Sequence, residues 1–164
     1  MDVNRIKSEI DEIAKTSSSA KELMERICRK LTDRLHKYNW VGFYMIDARE
    51  PDVLVLGPFT GAMTPHTRIR VNQGICGAAA SSGTTVVVDD VSKDPRYLAC
   101  SIETKSEIVV PVFVRGKVAG ELDIDSHFLS AFGPNDRELA QHCAKVVGSF
   151  LETQKLQARL PHET

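Results

Sequence analysis

No Cys-x-x-Cys pair occurs in this sequence, which argues against a zinc site of the common kind. Its four cysteines, Cys28, Cys76, Cys100 and Cys143, are too few for a disulfide scaffold in a chain of 164 residues. No apolar run approaches the roughly 20 residues of a membrane span, and Met1–Ile10 is too polar for a signal peptide. The expectation is a cytoplasmic protein whose cysteines start as thiols, with no membrane partner. Neither sign of charge dominates: 21 Lys and Arg face 22 Asp and Glu, for a net charge of −1. That removes any electrostatic reason to expect nucleic acid or an anionic surface as partner.

What is present fits one soluble domain. The chain is 42% hydrophobic and 26% charged, within the ordinary globular range and long enough to bury a core. Val3, Ile6, Ile10 and Ile13 form one stripe of a helix over 3–14. Thr16–Ser19 breaks it, and Ser19 with Glu22 makes a capping box for a second helix over 20–37. Its stripe is Leu23, Ile27, Leu31 and Leu35, with Cys28 beside it as a small buried hydrophobe. Strands are predicted over 39–47, 53–57, 68–71, 85–88, 106–114 and 117–125, the last two as a hairpin turning at Arg115–Lys117. Residues 58–67 read as a loop, as do 89–100 with a helical turn near 95–98. A short helix of small residues over 74–82 ends at Gly83. Pro134 opens a closing helix to about 158, whose stripe of Leu139, Cys143, Val146, Val147, Phe150 and Leu151 places Cys143 in the core. The class is α+β: a central antiparallel sheet with the terminal helices on one face and residues 58–104 covering the other.

The segment from Cys100 to Ser126 carries the chemistry. Alternation puts Glu107, Val109 and Pro111 on one face of their strand, and Glu121, Asp123 and Asp125 on one face of the next. Trp40, Gly42 and Tyr44 share a face of the first strand. The purely apolar faces belong against the helices, so the mixed faces point at the 58–104 cover. An aromatic wall with a few acids suits a small ligand bearing an amine. The alternatives stay open at this level: Asp123 and Asp125 as turn or cap residues, Glu107 as a solvated edge, and Trp40 with Tyr44 as plain core. Cys76 stands near the start of its helix, where the dipole and free N–H groups favour thiolate. Cys100 stands where the cover returns to the sheet, and nearby carboxylates would raise its pKa. Either thiol also reads as an inert small residue, and His66 as a surface histidine in a loop.

Taken together, Asn39–Tyr44, Leu54–Phe59, Gly74–Gly77, Ala99-Cys100, Ser106–Pro111 and Leu122–Ser126 resemble the free methionine-(R)-sulfoxide reductases, which are stand-alone GAF domains. The resemblance covers about residues 20–150 as the GAF core. Residues 1–18 then form the N-terminal helix, and 151–164 the end of the last helix and a tail. It implies a GAF fold and a pocket for free methionine sulfoxide, with no metal and no cofactor. It implies that Cys100 attacks the sulfoxide sulfur, that Cys76 resolves the resulting sulfenic acid as a disulfide, and that a thioredoxin-like reductant restores both. Trp40 and Tyr44 match the aromatic wall. Glu107, Asp123 and Asp125, with the adjoining Ser126, match the polar substrate contacts, and the three acids also serve the chemistry. Family members commonly carry a further cysteine where this chain has His66, which puts recycling in question. The competing expectation is a GAF sensor that binds a small ligand without chemistry; against it stand the absence of a second domain and of an Asn-Lys-x-Phe-Asp-Glu pattern. The terminal helices offer a surface that could pair two subunits as a homodimer.

Overall fold

The computed structural model describes residues 1–99 and 101–157, so Cys100 and the expected end of the last helix at 158 lie outside the described residues. Helix α1 (Val3–Thr16) and helix α2 (Ala20–Arg34) open the chain. Asp2 caps the first, accepting from the Arg5 N–H, and Ser19 caps the second, accepting from the Glu22 N–H. Six strands follow: β1 (Trp40–Ile46), β2 (Val53–Thr60), β3 (Arg68–Arg70), β4 (Val86–Val88), β5 (Ser106–Val114) and β6 (Lys117–Ser126). Helix α3 (Gly74–Ser82) lies between β3 and β4, and helix α4 (Pro134–Gln157) closes the described chain. The strands make one antiparallel sheet in the order β3-β2-β1-β6-β5-β4.

Several elements differ from the sequence reading, three of them for reasons the contacts show. Helix α2 stops at Arg34 rather than 37, because Lys37 and Tyr38 are recruited elsewhere. The Tyr38 hydroxyl donates to Asp136 Oδ1 at 2.6 Å and the Lys37 ammonium to Asp136 Oδ2 at 2.9 Å, tying the start of α4 to the entry of β1. Strand β2 runs on to Thr60, through Pro58. Its pairing with β3 is confined to Val53–Val55, so the missing proline N–H costs no ladder bond there. The helical turn in the cover falls at Val91–Lys93, where Asp90 caps it, and not at 95–98.

Two apolar layers sandwich the sheet. One is the main core, where Ile10, Leu23, Ile27, Leu31, Leu139 and Val147 of the helices meet Phe43, Ile108, Leu122 and Ile124 of the strands. Cys28 and Cys143 are fully buried in it as thiols. The other gathers Trp40, Tyr44, Leu54, Ile69, Ile75, Ala79 and Val109 beneath α3. Small residues let α3 settle close: a Cβ at Gly77 would meet the Arg70 carbonyl oxygen at 2.8 Å. Gly42 does the same for the aromatic wall, since a Cβ there would stand 2.3 Å from Trp40 Cη2. The indole lies flat across that glycine and stacks on Phe59 with centroids 5.6 Å apart.

Trp40 is the chain's single tryptophan, so the arrangement can be followed optically. Gly42→Ala is expected to displace the indole, shift its emission and lower stability by about 1–3 kcal/mol in urea unfolding. Unchanged emission and an unchanged midpoint would contradict this packing.

Candidate active site

The sheet's register assembles the site. On the face beneath α3, Asp125 of β6 pairs with Trp40 on one side and Glu107 on the other. Asp123 pairs with Gly42 and Val109, and Glu121 with Tyr44 and Pro111. Alternation therefore stacks Glu121, Asp123 and Asp125 in one column of β6, with Glu107 beside its end and the Trp40–Tyr44 wall alongside. All four acids are buried, and Glu121 is wholly inaccessible.

Helix α3 brings a thiol down onto this column. Cys76 Sγ donates to Asp123 Oδ2 at 3.4 Å, and the Glu121 carboxyl sits against the same thiol. Glu107 in turn hydrogen-bonds Asp123. A cavity of about 20 Å³ remains between Tyr44, Ile75, Cys76, Leu98, Glu107 and Asp123. Among the described residues, Asp123 Oδ1, Asp125 Oδ1 and both Glu121 oxygens have no hydrogen-bond partner.

Burial decides the electrostatics here. It is the leading cause that pushes Glu121 and Asp125 well above the usual carboxylate range, with the Asp123 charge adding to it. Asp123 is pushed to about 6, again chiefly by burial, while bonds from Glu107 and Cys76 hold it back. The same causes correct the expectation for Cys76. Burial first, and then the Asp123, Glu121 and Glu107 charges, drive its thiol well above the ordinary range, so the helix start does not produce a resting thiolate.

The remaining sequence candidates distribute as follows. Trp40 is buried, with its indole N–H donating to the Ala62 carbonyl at 3.1 Å. The Tyr44 hydroxyl donates to the His66 carbonyl at 2.7 Å. Ser126 falls on the opposite face of β6, where its Oγ accepts from the Phe128 N–H at 3.2 Å, away from the acid column. The His66 ring lies 3.1 Å from the Ala99 carbonyl, one residue before Cys100. Alternation groups Glu121 with the acids, and the packing of α3 over that face buries it completely.

Residues 19–151 match the GAF domain family. The chain is 37% identical over 123 residues to the free methionine-R-sulfoxide reductase of Escherichia coli, covering 73% of this chain and 72% of that one. It belongs to the free methionine-R-sulfoxide reductase family. The Saccharomyces cerevisiae member is 44% identical over 110 residues, 66% of this chain; that match spans 61% of the yeast protein's length. The structure of the Neisseria meningitidis reductase in complex with its substrate superposes with a TM-score of 0.89 at 34% identity, covering 94% of this chain and 91% of that one. The antiparallel sheet with its helices is thus the GAF fold expected from the sequence. No described helix is long and apolar enough to cross a membrane.

A buried acid whose folded pKa lies above its unfolded value binds more protons when folded. Its contribution to stability therefore falls as pH rises through the window between the two, here from about 4 to about 6 for Asp123. Asp123→Asn should gain stability relative to the parent chain across that window, with the gain levelling above it. Parallel denaturation midpoints from about pH 4 to about pH 7 check this; a difference that stays flat with pH contradicts it.

Proposed function

We propose that this chain reduces free methionine-(R)-sulfoxide to methionine, using Cys100 as nucleophile and Cys76 as resolving thiol. The observation that carries the reading is the Cys76 thiol lying on a column of buried acids beside an aromatic wall. It occurs in a chain 34% identical to a reductase whose structure was solved with its substrate. The acids give an amino acid's ammonium group its partners, and Trp40 with Phe59 gives the methylthio end an apolar surface.

The Cys100 sulfur attacks the sulfoxide sulfur and gives up two electrons. The oxygen passes to Cys100 as a sulfenic acid, and methionine leaves. The departing oxygen needs a proton, and a carboxyl kept neutral by burial, as at Asp125, supplies it near neutral pH. Cys76 then loses its proton and displaces hydroxide from the sulfenic sulfur, giving a disulfide and water. A dithiol reductant of the thioredoxin type exchanges with that disulfide and restores both thiols. A reducing compartment such as the cytoplasm suits this cycle.

The raised thiol pKa of Cys76 sets the expected weak step. His66 cannot form a disulfide, so it cannot relieve Cys76 of the resolving role. The cavity of about 20 Å³ is too small for an amino acid, so the cover carrying Ile75 and Leu98 must shift to admit one.

Mass spectrometry after one turnover tests the roles directly. The expected product is a Cys76–Cys100 disulfide in the parent chain, and a trapped sulfenic acid on Cys100 in Cys76→Ser. Cys100→Ser should abolish turnover. Glu107→Gln should lower kcat/KM by about 100-fold. Full turnover by Cys100→Ser, or oxidation confined to other cysteines, would overturn the assignment.

A further inference from the structure

Resolution asks Cys76 to lose its proton where burial and three acids oppose ionisation. A base within reach is therefore needed. Side chains two residues apart on one strand face stand roughly 7 Å apart. The thiol comes down from α3 against two such residues, Glu121 and Asp123. The titratable groups facing it are those two on β6, Glu107 on β5, and Tyr44 on β1, which pairs across from Glu121. Tyr44 has its hydroxyl committed to the His66 carbonyl.

The two acids against the thiol are not equivalent. Asp123 lines the cavity, is bonded to Glu107, and faces the place proposed for the substrate. Glu121 is not among the residues that line the cavity and is wholly inaccessible. Beyond the Cys76 thiol, neither of its oxygens has a partner among the described residues. Burial lifts it well above the carboxylate range, so its ionised form is a strong base for a thiol proton. We propose that Glu121 is a further catalytic residue, the base that takes the Cys76 proton when the Cys100 sulfenic acid is resolved. The proposal rests on the reductase cycle given above. Glu121 is first ionised, by an ammonium group entering the acid column or by rising pH. Cys76 then passes its proton to Glu121, and the thiolate attacks the sulfenic sulfur. The sulfur–sulfur bond forms as the sulfur–oxygen bond breaks. Its electron pair leaves with hydroxide, which takes a solvent proton and departs as water. When the disulfide is reduced, Cys76 is released as a thiolate and takes its proton back from Glu121.

Hydrogen peroxide converts Cys100 to the sulfenic acid without methionine sulfoxide, so resolution can be followed apart from turnover. Mass spectrometry then reads the rate of Cys76–Cys100 disulfide formation from about pH 6 to about pH 10. In the parent chain the rate is expected to level off while Cys76 is still a thiol. In Glu121→Gln it should be about 100-fold lower on that plateau, with sulfenic acid accumulating on Cys100. The variant's rate should keep rising about tenfold per pH unit, as thiolate forms unaided, and close the gap at high pH. Circular dichroism establishes that the variant is folded, and the parent's own profile needs no variant. A parent rate that rises about tenfold per pH unit throughout, a folded variant that matches the parent, or no disulfide at all overturns the proposal. A plateau in a chain that does not reduce methionine sulfoxide leaves the base standing without the reductase reading. Reduction without a plateau does the reverse.

Discussion

Glu121, Asp123 and Asp125 lie one above another on a sheet face that a helix closes, where water cannot solvate their charges. Most of the architecture around the site follows from that constraint. The register of β6 between β1 and β5 fixes the column, and the aromatic wall of Trp40 and Tyr44 excludes solvent from one side. The small residues of α3 seal the top. Burial outweighs the available hydrogen bonds, so the carboxyls are held toward their neutral forms until something positive arrives. An amino acid's ammonium group answers that demand, and the neutral acids that remain are suited to give up a proton.

The same environment reverses the usual expectation for a cysteine at a helix start. Partial positive charge from the first turn of α3 is outweighed by burial and by three neighbouring acids, so Cys76 rests as a thiol. In the proposed cycle that makes resolution, not attack, the step the protein handles least easily. His66 reinforces the point. Its ring reaches the Ala99 carbonyl, so the position holds the chain next to Cys100 without offering a sulfur.

Much of this was legible in the sequence because strand period and side-chain chemistry agree over 39–47 and 106–125. Alternation alone put Trp40, Gly42 and Tyr44 with Glu107, Asp123 and Asp125, and the observed pairings join those faces. The stripe of each terminal helix likewise identified the core layer that holds Cys28 and Cys143. What escaped depended on contacts between distant segments. The end of α2 is set by Asp136 recruiting Lys37 and Tyr38, and Pro58 stays in β2 because the neighbouring strand is short. Ser126, adjacent in sequence to the acids, turns to the other face by the same period of two. The thiol state of Cys76 could not be read from its place in a helix, since the groups that govern it arrive from β5 and β6.

The central claim is that the acids pushed furthest by burial, Glu121 and Asp125, wait in their neutral forms and ionise when a cation pairs with the column. Calorimetry of methionine sulfoxide binding to the Cys100→Ser chain, run near neutral pH in two buffers of different ionisation enthalpy, measures this directly. The account predicts an apparent enthalpy that changes with the buffer, corresponding to release of about one proton per ligand bound. Binding with the same enthalpy in both buffers would mean the carboxylates were already charged, and would contradict it.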